Sequence, residues 1–134
     1  MNNEEIETLK KAGIIAKKAV AYAKEVVRPN IPLLEIAEKI ESKIIELGGK
    51  PAFPVNLSIN EIAAHSTPPF NEIRLAHGLI KVDIGVHLNG FVADTAFSID
   101  LENSEENKNL ISASQEALKN AIEECKVGNH LGDI

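Results

Sequence analysis

The sequence predicts an α+β domain in two layers, an antiparallel β-hairpin or sheet covered by about three helices. Three observations predict it. Two early stretches carry apolar residues at helical spacing. The segment "KVDIGVHLNGFVADTAF", residues 81–97, reads as two strands around an Asn-Gly turn. A third helical pattern follows it. The chain has 134 residues, enough for one modest domain with its own core. Hydrophobic residues make up 44% and charged residues 25%, an ordinary soluble balance. A net charge of −6 argues against a nucleic-acid-binding surface. Cys125 is the sole cysteine, so no disulfide forms within the chain and a reducing compartment is the simpler expectation. The acidic start "MNNEEIETLKK" is unlike a secretory signal, and no apolar run approaches a membrane span. A cytoplasmic protein with no nucleic-acid or membrane partner is expected.

The first helix is predicted over residues 4–27. Ile6, Leu9, Ala12, Ala16 and Ala19 or Val20 form its stripe, and Pro29 and Pro32 end it. The second is predicted over Leu33–Leu47, with Leu33, Ile36, Ala37, Ile40, Ile44 and Leu47 on one side and Gly48-Gly49 as the stop. The short connection makes the two an antiparallel pair. Prolines 51, 54, 68 and 69 then punctuate a stretch with short extended pieces around 52–58 and a loop, "STPPFNEIRLAHG". The third helix is predicted over about 105–125, with Leu110, Ala113, Ala117, Ala121 and Cys125 as its spine. Asn103 and Glu106 resemble a capping box at its start. No repeat, low-complexity segment or clear linker is visible.

The hairpin contains an anomaly. Strands generally exclude aspartate, yet each strand carries one in an apolar run, Asp83 and Asp94. With Asn89-Gly90 at the centre of a two-residue turn, Leu88 faces Phe91, Gly85 faces Asp94 and Asp83 faces Ala96. One face then holds Val82, Ile84, Val86, Leu88, Phe91, Ala93 and Phe97, with Thr95 as its polar member. The other holds Asp83, Gly85, Asp94 and Ala96, with His87 and Val92 nearer the tip. The aspartates are diagonal neighbours, their Cβ atoms on the order of 6–8 Å apart. Two such carboxylates could grip one cation, or two a few Å apart; without a cation they repel and one tends to keep its proton. The plainer reading is a solvent-exposed face. The mid-strand placement and the small facing residues Gly85 and Ala96, which would leave room for metal and solvent, favour metal.

Two longer segments carry a family resemblance. "GGKPAFPVNLSINEIAAHSTP", followed by "IKVDIGVHLNGFVADTAFSI", closely resembles the N-terminal half of type 2 methionine aminopeptidases. The resemblance implies the creatinase-like "pita-bread" fold, here as its N-terminal half. It implies removal of the initiator methionine from nascent polypeptides, with two divalent metal ions (cobalt, manganese, iron or zinc) activating a water. Matched by motif, Asp83 and Asp94 are metal ligands. His65 in "AAHSTP" is the substrate-side catalytic histidine, and Phe53 in "AFP" is a wall of the methionine pocket. From the residues alone, His65 is an ordinary solvated loop histidine and Phe53 equally a core residue. Ser66 follows His65, where tyrosine is commoner in the family. His87 lies on the aspartate face, at a position the family does not use as a ligand. His77 and His130 read as surface residues.

The resemblance also implies that one histidine and two glutamates complete the ligand set from a C-terminal half that no segment here matches. The expectation is therefore an N-terminal half, residues 1–134, inactive alone and partnered by the other half in the same or a second chain. The alternatives are a non-catalytic binding protein of the same fold and a proline-specific peptidase. Both intact aspartates count against the first, and "NLSINEIAAH" counts against the second.

Overall fold

The computed structural model describes residues 1–134. Residues 1–102 form one compact unit and residues 103–134 another. The first begins with helix α1, Asn3–Val26. Asn2 and Glu5 cap it reciprocally: the Asn2 Oδ1 accepts from the Glu5 amide at 2.9 Å, and the Glu5 Oε2 accepts from the Asn2 amide at 2.7 Å. Helix α2, Leu33–Glu46, follows after the proline-bearing connection. Strands β1 (Lys50–Pro51) and β2 (Asn56–Ile59) come next, and then the long hairpin of β3 (Leu79–Leu88) and β4 (Phe91–Asp100).

All pairings are antiparallel. β4 runs along one edge of β3 for its full length. β1 and β2 share the other edge, with Pro51 opposite Val86 and Asn56 opposite Asp83. The hairpin register is the one the Asn-Gly turn predicts: Leu88 pairs Phe91, Gly85 pairs Asp94 and Asp83 pairs Ala96. Residues 66–78 are without regular structure apart from a single bridge between Leu75 and Pro32, as the prolines require.

The core lies between the two helices and one face of the sheet. α1 buries Ala12, Ala16, Ala19 and Ala23, a stripe of small residues that lets its backbone lie close to β3 and β4. α2 supplies the bulk, with Leu33, Ile36, Ile40 and Ile44 all fully buried. The sheet answers with Leu57, Ile80, Val82, Ile84 and Val86, also fully buried. Of the rest of the predicted core face, Leu88, Phe91, Ala93, Thr95 and Phe97 are half-buried. The ammonium of Lys24 lies 5.3 Å from the centre of the Phe97 ring.

The second unit is helix α3, Glu105–Glu124, and a short 3₁₀ turn at Leu131–Asp133. The Asn103–Glu106 capping box does not form. Asn103 takes a left-handed conformation, φ 59°, and Ser104 becomes the N-cap, its hydroxyl accepting from the Asn107 amide at 3.2 Å. Helix α3 has no buried residue. No helix is long and apolar enough to cross a membrane.

Ile40 is a fully buried member of the hydrophobic cluster. Ile40→Ala should destabilise the chain by about 2–5 kcal/mol, the range for deleting a large aliphatic from a packed core. Urea unfolding followed by circular dichroism measures it; a loss under about 1 kcal/mol would contradict the packing described.

Candidate metal and substrate site

The sheet has a second face, away from the helices. Alternation along β3 puts Lys81, Asp83, Gly85 and His87 there, and direct pairing adds Asp94 and Ala96 from β4 and Asn56 and Ser58 from β2. Asp83 is half-buried and Asp94 is exposed. The register makes the two aspartates diagonal neighbours across the hairpin, close enough for their charges to interact. Desolvation pushes the Asp83 carboxyl above its ordinary range, and the charge of Asp94 pushes it further. A hydrogen bond from Asn56 and the proximity of His65 act in the opposite sense.

Phe53 reaches the same face. Between β1 and β2 the chain leaves the sheet, anchored by the Ala52 amide donating to the Gly85 carbonyl at 2.9 Å. The Phe53 ring then lies over Gly85, so near that a Cβ there would come within 2.6 Å of Cδ1. The sequence suggests that Gly85 leaves room for metal and solvent; in the structure an aromatic ring takes that space. Ala96 keeps its place opposite Asp83.

His65 is exposed, with φ 59°, and is close enough to Asp83 to act on its charge. Its loop is tied to the outer edge of β2, because the Leu57 amide donates to the Ser66 carbonyl at 2.8 Å. The Thr67 hydroxyl donates to the Asn56 Oδ1 at 2.7 Å. The fold thus brings together all four residues singled out in the sequence, Asp83, Asp94, Phe53 and His65. It leaves His87 near the hairpin tip, opposite Val92, with its Nδ1 buried and without a partner. His77 and His130 are exposed. Lys81 turns aside to donate to the Asn60 carbonyl at 2.5 Å. Asn56 and Thr67 are not evident from sequence, because the pairing of β2 with β3 leaves no local signal.

The sequence profile of metallopeptidase family M24 matches residues 7–134. The chain belongs to that family. It is 47% identical over 132 residues to a methionine aminopeptidase of Pyrococcus abyssi, covering 97% of this chain and 44% of that protein. A methionine aminopeptidase of Methanocaldococcus jannaschii is 43% identical over 136 residues, covering 100% of this chain and 46% of that one. The chain therefore spans about half the length of these curated relatives. Among solved structures, the methionine aminopeptidase of Thermotoga maritima superposes with a TM-score of 0.83 at 26% identity, over 94% of this chain and 54% of that one. The prolidase of Pyrococcus horikoshii gives 0.81 at 28%, over 93% and 37%. The fold is that of the pita-bread M24 peptidases, and the family implies divalent metal.

The donor chemistry of Asp83 and Asp94 fits a divalent cation. Two carboxylates supply hard oxygens, their mutual repulsion is relieved by positive charge between them, and Asn56 steadies one of them without adding charge. No third His, Cys, Asp or Glu side chain joins them.

Repulsion within the pair has a measurable consequence. A carboxyl whose folded pKa is raised contributes stability below its unfolded value, about 3.8, and loses that contribution as pH rises through the folded value. Asp94→Asn should therefore raise the Tm of the metal-free chain at pH 7, by about 1–3 °C. The gain should vanish near pH 3. A lower Tm at pH 7 would show that the carboxylates are not in conflict.

Proposed function

We propose that this chain is the N-terminal half of a methionine aminopeptidase catalytic domain, acting in the cytoplasm on the N-terminal methionine of nascent polypeptides. The observation that carries the reading is the juxtaposition of Asp83, Asp94, Phe53 and His65 on one face of the sheet, in a chain 47% identical to a protein of that name. The prolidase reading rests on a lower identity, 28%. A non-catalytic binding role would not require the costly approach of two carboxylates.

In this reading Asp83 and Asp94 hold two divalent ions, cobalt, manganese, iron or zinc, together with ligands from outside the chain. Bound there, the ions would supply Lewis acidity and an activated water for hydrolysis of the first peptide bond. His65 lies beside Asp83 on a tethered loop, where an imidazole N–H can donate to the oxygen that gains charge as the carbonyl is attacked. Phe53 offers an apolar wall over Gly85, the residue paired with Asp94, suited to an unbranched thioether side chain. The rest of the catalytic domain, in the same or a second chain, would supply the general base. β4 is open on the edge away from β3, and such an edge favours pairing with further strands.

His65→Ala in the complemented enzyme should lower kcat/KM by about 100-fold or more, with bound metal near the unsubstituted level. Loss of metal rather than turnover would reassign the residue. The 134-residue chain alone should show no significant hydrolysis of a Met-Ala-Ser peptide with manganese or cobalt, and adding the C-terminal half as a second chain should restore it. Robust turnover by the chain alone would overturn the split reading.

A further inference from the structure

The loop that carries His65 leaves β2 at Asn60 and returns to it at Ser66. Both ends are pinned. At the exit, the Asn60 amide donates to the Leu79 carbonyl at 2.8 Å, and the Leu79 amide donates to the Asn60 Oδ1 at 2.9 Å. At the return, the Ser66 carbonyl and the Thr67 hydroxyl bind the Leu57 amide and the Asn56 side chain. His65 holds its positive φ immediately before this return. A non-glycine residue keeps such a conformation where its surroundings over-determine it.

Asn56 is 8% exposed, so its amide requires partners on both ends. Thr67 donates to Oδ1 at 2.7 Å, which turns Nδ2 away from Thr67. Asn56 stands directly opposite Asp83 on the same face of the sheet, so Nδ2 is the end of the amide left to meet that carboxylate. A flipped amide would aim oxygen at oxygen. The Thr67 hydroxyl therefore decides that Asp83 meets a donor. Because that donor is neutral, it orients the carboxylate without competing for its charge, as a lysine or arginine would.

We propose that Asn56 and Thr67 are positioning residues that tie the Asp83 carboxylate to the His65 loop, so that a metal ligand and a substrate-side histidine are set by one hydrogen-bonded chain. The proposal rests on the aminopeptidase reading for the roles of Asp83 and His65. The linkage itself rests on the Thr67–Asn56 hydrogen bond and on the register that sets Asn56 opposite Asp83. It predicts that a hydroxyl at residue 67 matters more than side-chain shape.

The test uses the full 134-residue chain and two readouts. Nitrogen-15 NMR follows hydrogen exchange of the Asn56 side-chain amide, and electron paramagnetic resonance of free Mn(II) gives metal affinity. Thr67→Val keeps the shape and removes the hydroxyl. It should speed Asn56 amide exchange and weaken Mn(II) binding by about 10-fold or more, the usual effect of losing a hydrogen bond behind a ligand. Thr67→Ser should restore both. Thr67→Ala serves as the hydroxyl-free variant if valine prevents folding. Unchanged exchange and affinity in a folded hydroxyl-free variant, or a folded serine variant that restores neither, would overturn the proposal. If the two carboxylates of the unsubstituted chain alone take up no measurable Mn(II), the amide-exchange comparison decides the linkage, and unchanged exchange in the hydroxyl-free variant overturns it.

Discussion

Asn89 and Gly90 take φ values of 50° and 87°, the left-handed pair that a type I′ turn needs. This turn matches the twist of the strands it joins, so it fixes which residues of β3 and β4 stand opposite one another. A slip of one residue would send every side chain of one strand to the other face. Val82, Ile84 and Val86 would leave the core, and Asp83 would enter it unpaired. Register here is therefore held from both sides, by turn chemistry at the tip and by the cost of burying a carboxylate against the helices.

The two faces of the sheet obey different rules as a result. On the helix side, small alanines of α1 and branched residues of α2 exclude water from Ile80, Val82, Ile84 and Val86 of β3, which are fully buried. On the other side polar groups are gathered, and several find individual partners while Ser58 Oγ and His87 Nδ1 find none. Asn56 joins Thr67 to Asp83, Lys81 finds the Asn60 carbonyl, and Phe53 lies on Gly85. Two carboxylates remain in conflict, which is a stored preference for positive charge at that point. Family M24 membership, with the divalent metal that the family implies, gives that preference a chemical meaning.

Helices α1 and α2 were legible because their apolar positions recur every three or four residues and prolines and glycines bound them. The hairpin was legible because Asn-Gly leaves little choice of register, and so was the shared face of Asp83 and Asp94. Helix α3 starts at Glu105 as expected, but its cap is one residue later than the sequence suggests: asparagine suits a cap and also tolerates positive φ, and Asn103 takes the latter role while Ser104 caps. Gly85 was read as open space because alternation shows which side a residue faces and says nothing about what arrives there from elsewhere in the chain.

The sequence by itself determined the local periods, the turn and therefore the pairing of the two aspartates, since each depends on residues adjacent in the chain. Its longer motifs also marked His65 and Phe53 by resemblance, though no local pattern does so. Only the tertiary structure decided that Phe53 covers Gly85, that β2 sets Asn56 against Asp83, and that Thr67 orients that amide beside the His65 loop. These contacts join segments separated by ten to thirty or so residues. Their geometry follows from how strands stack and loops return, and no spacing within a single segment encodes it.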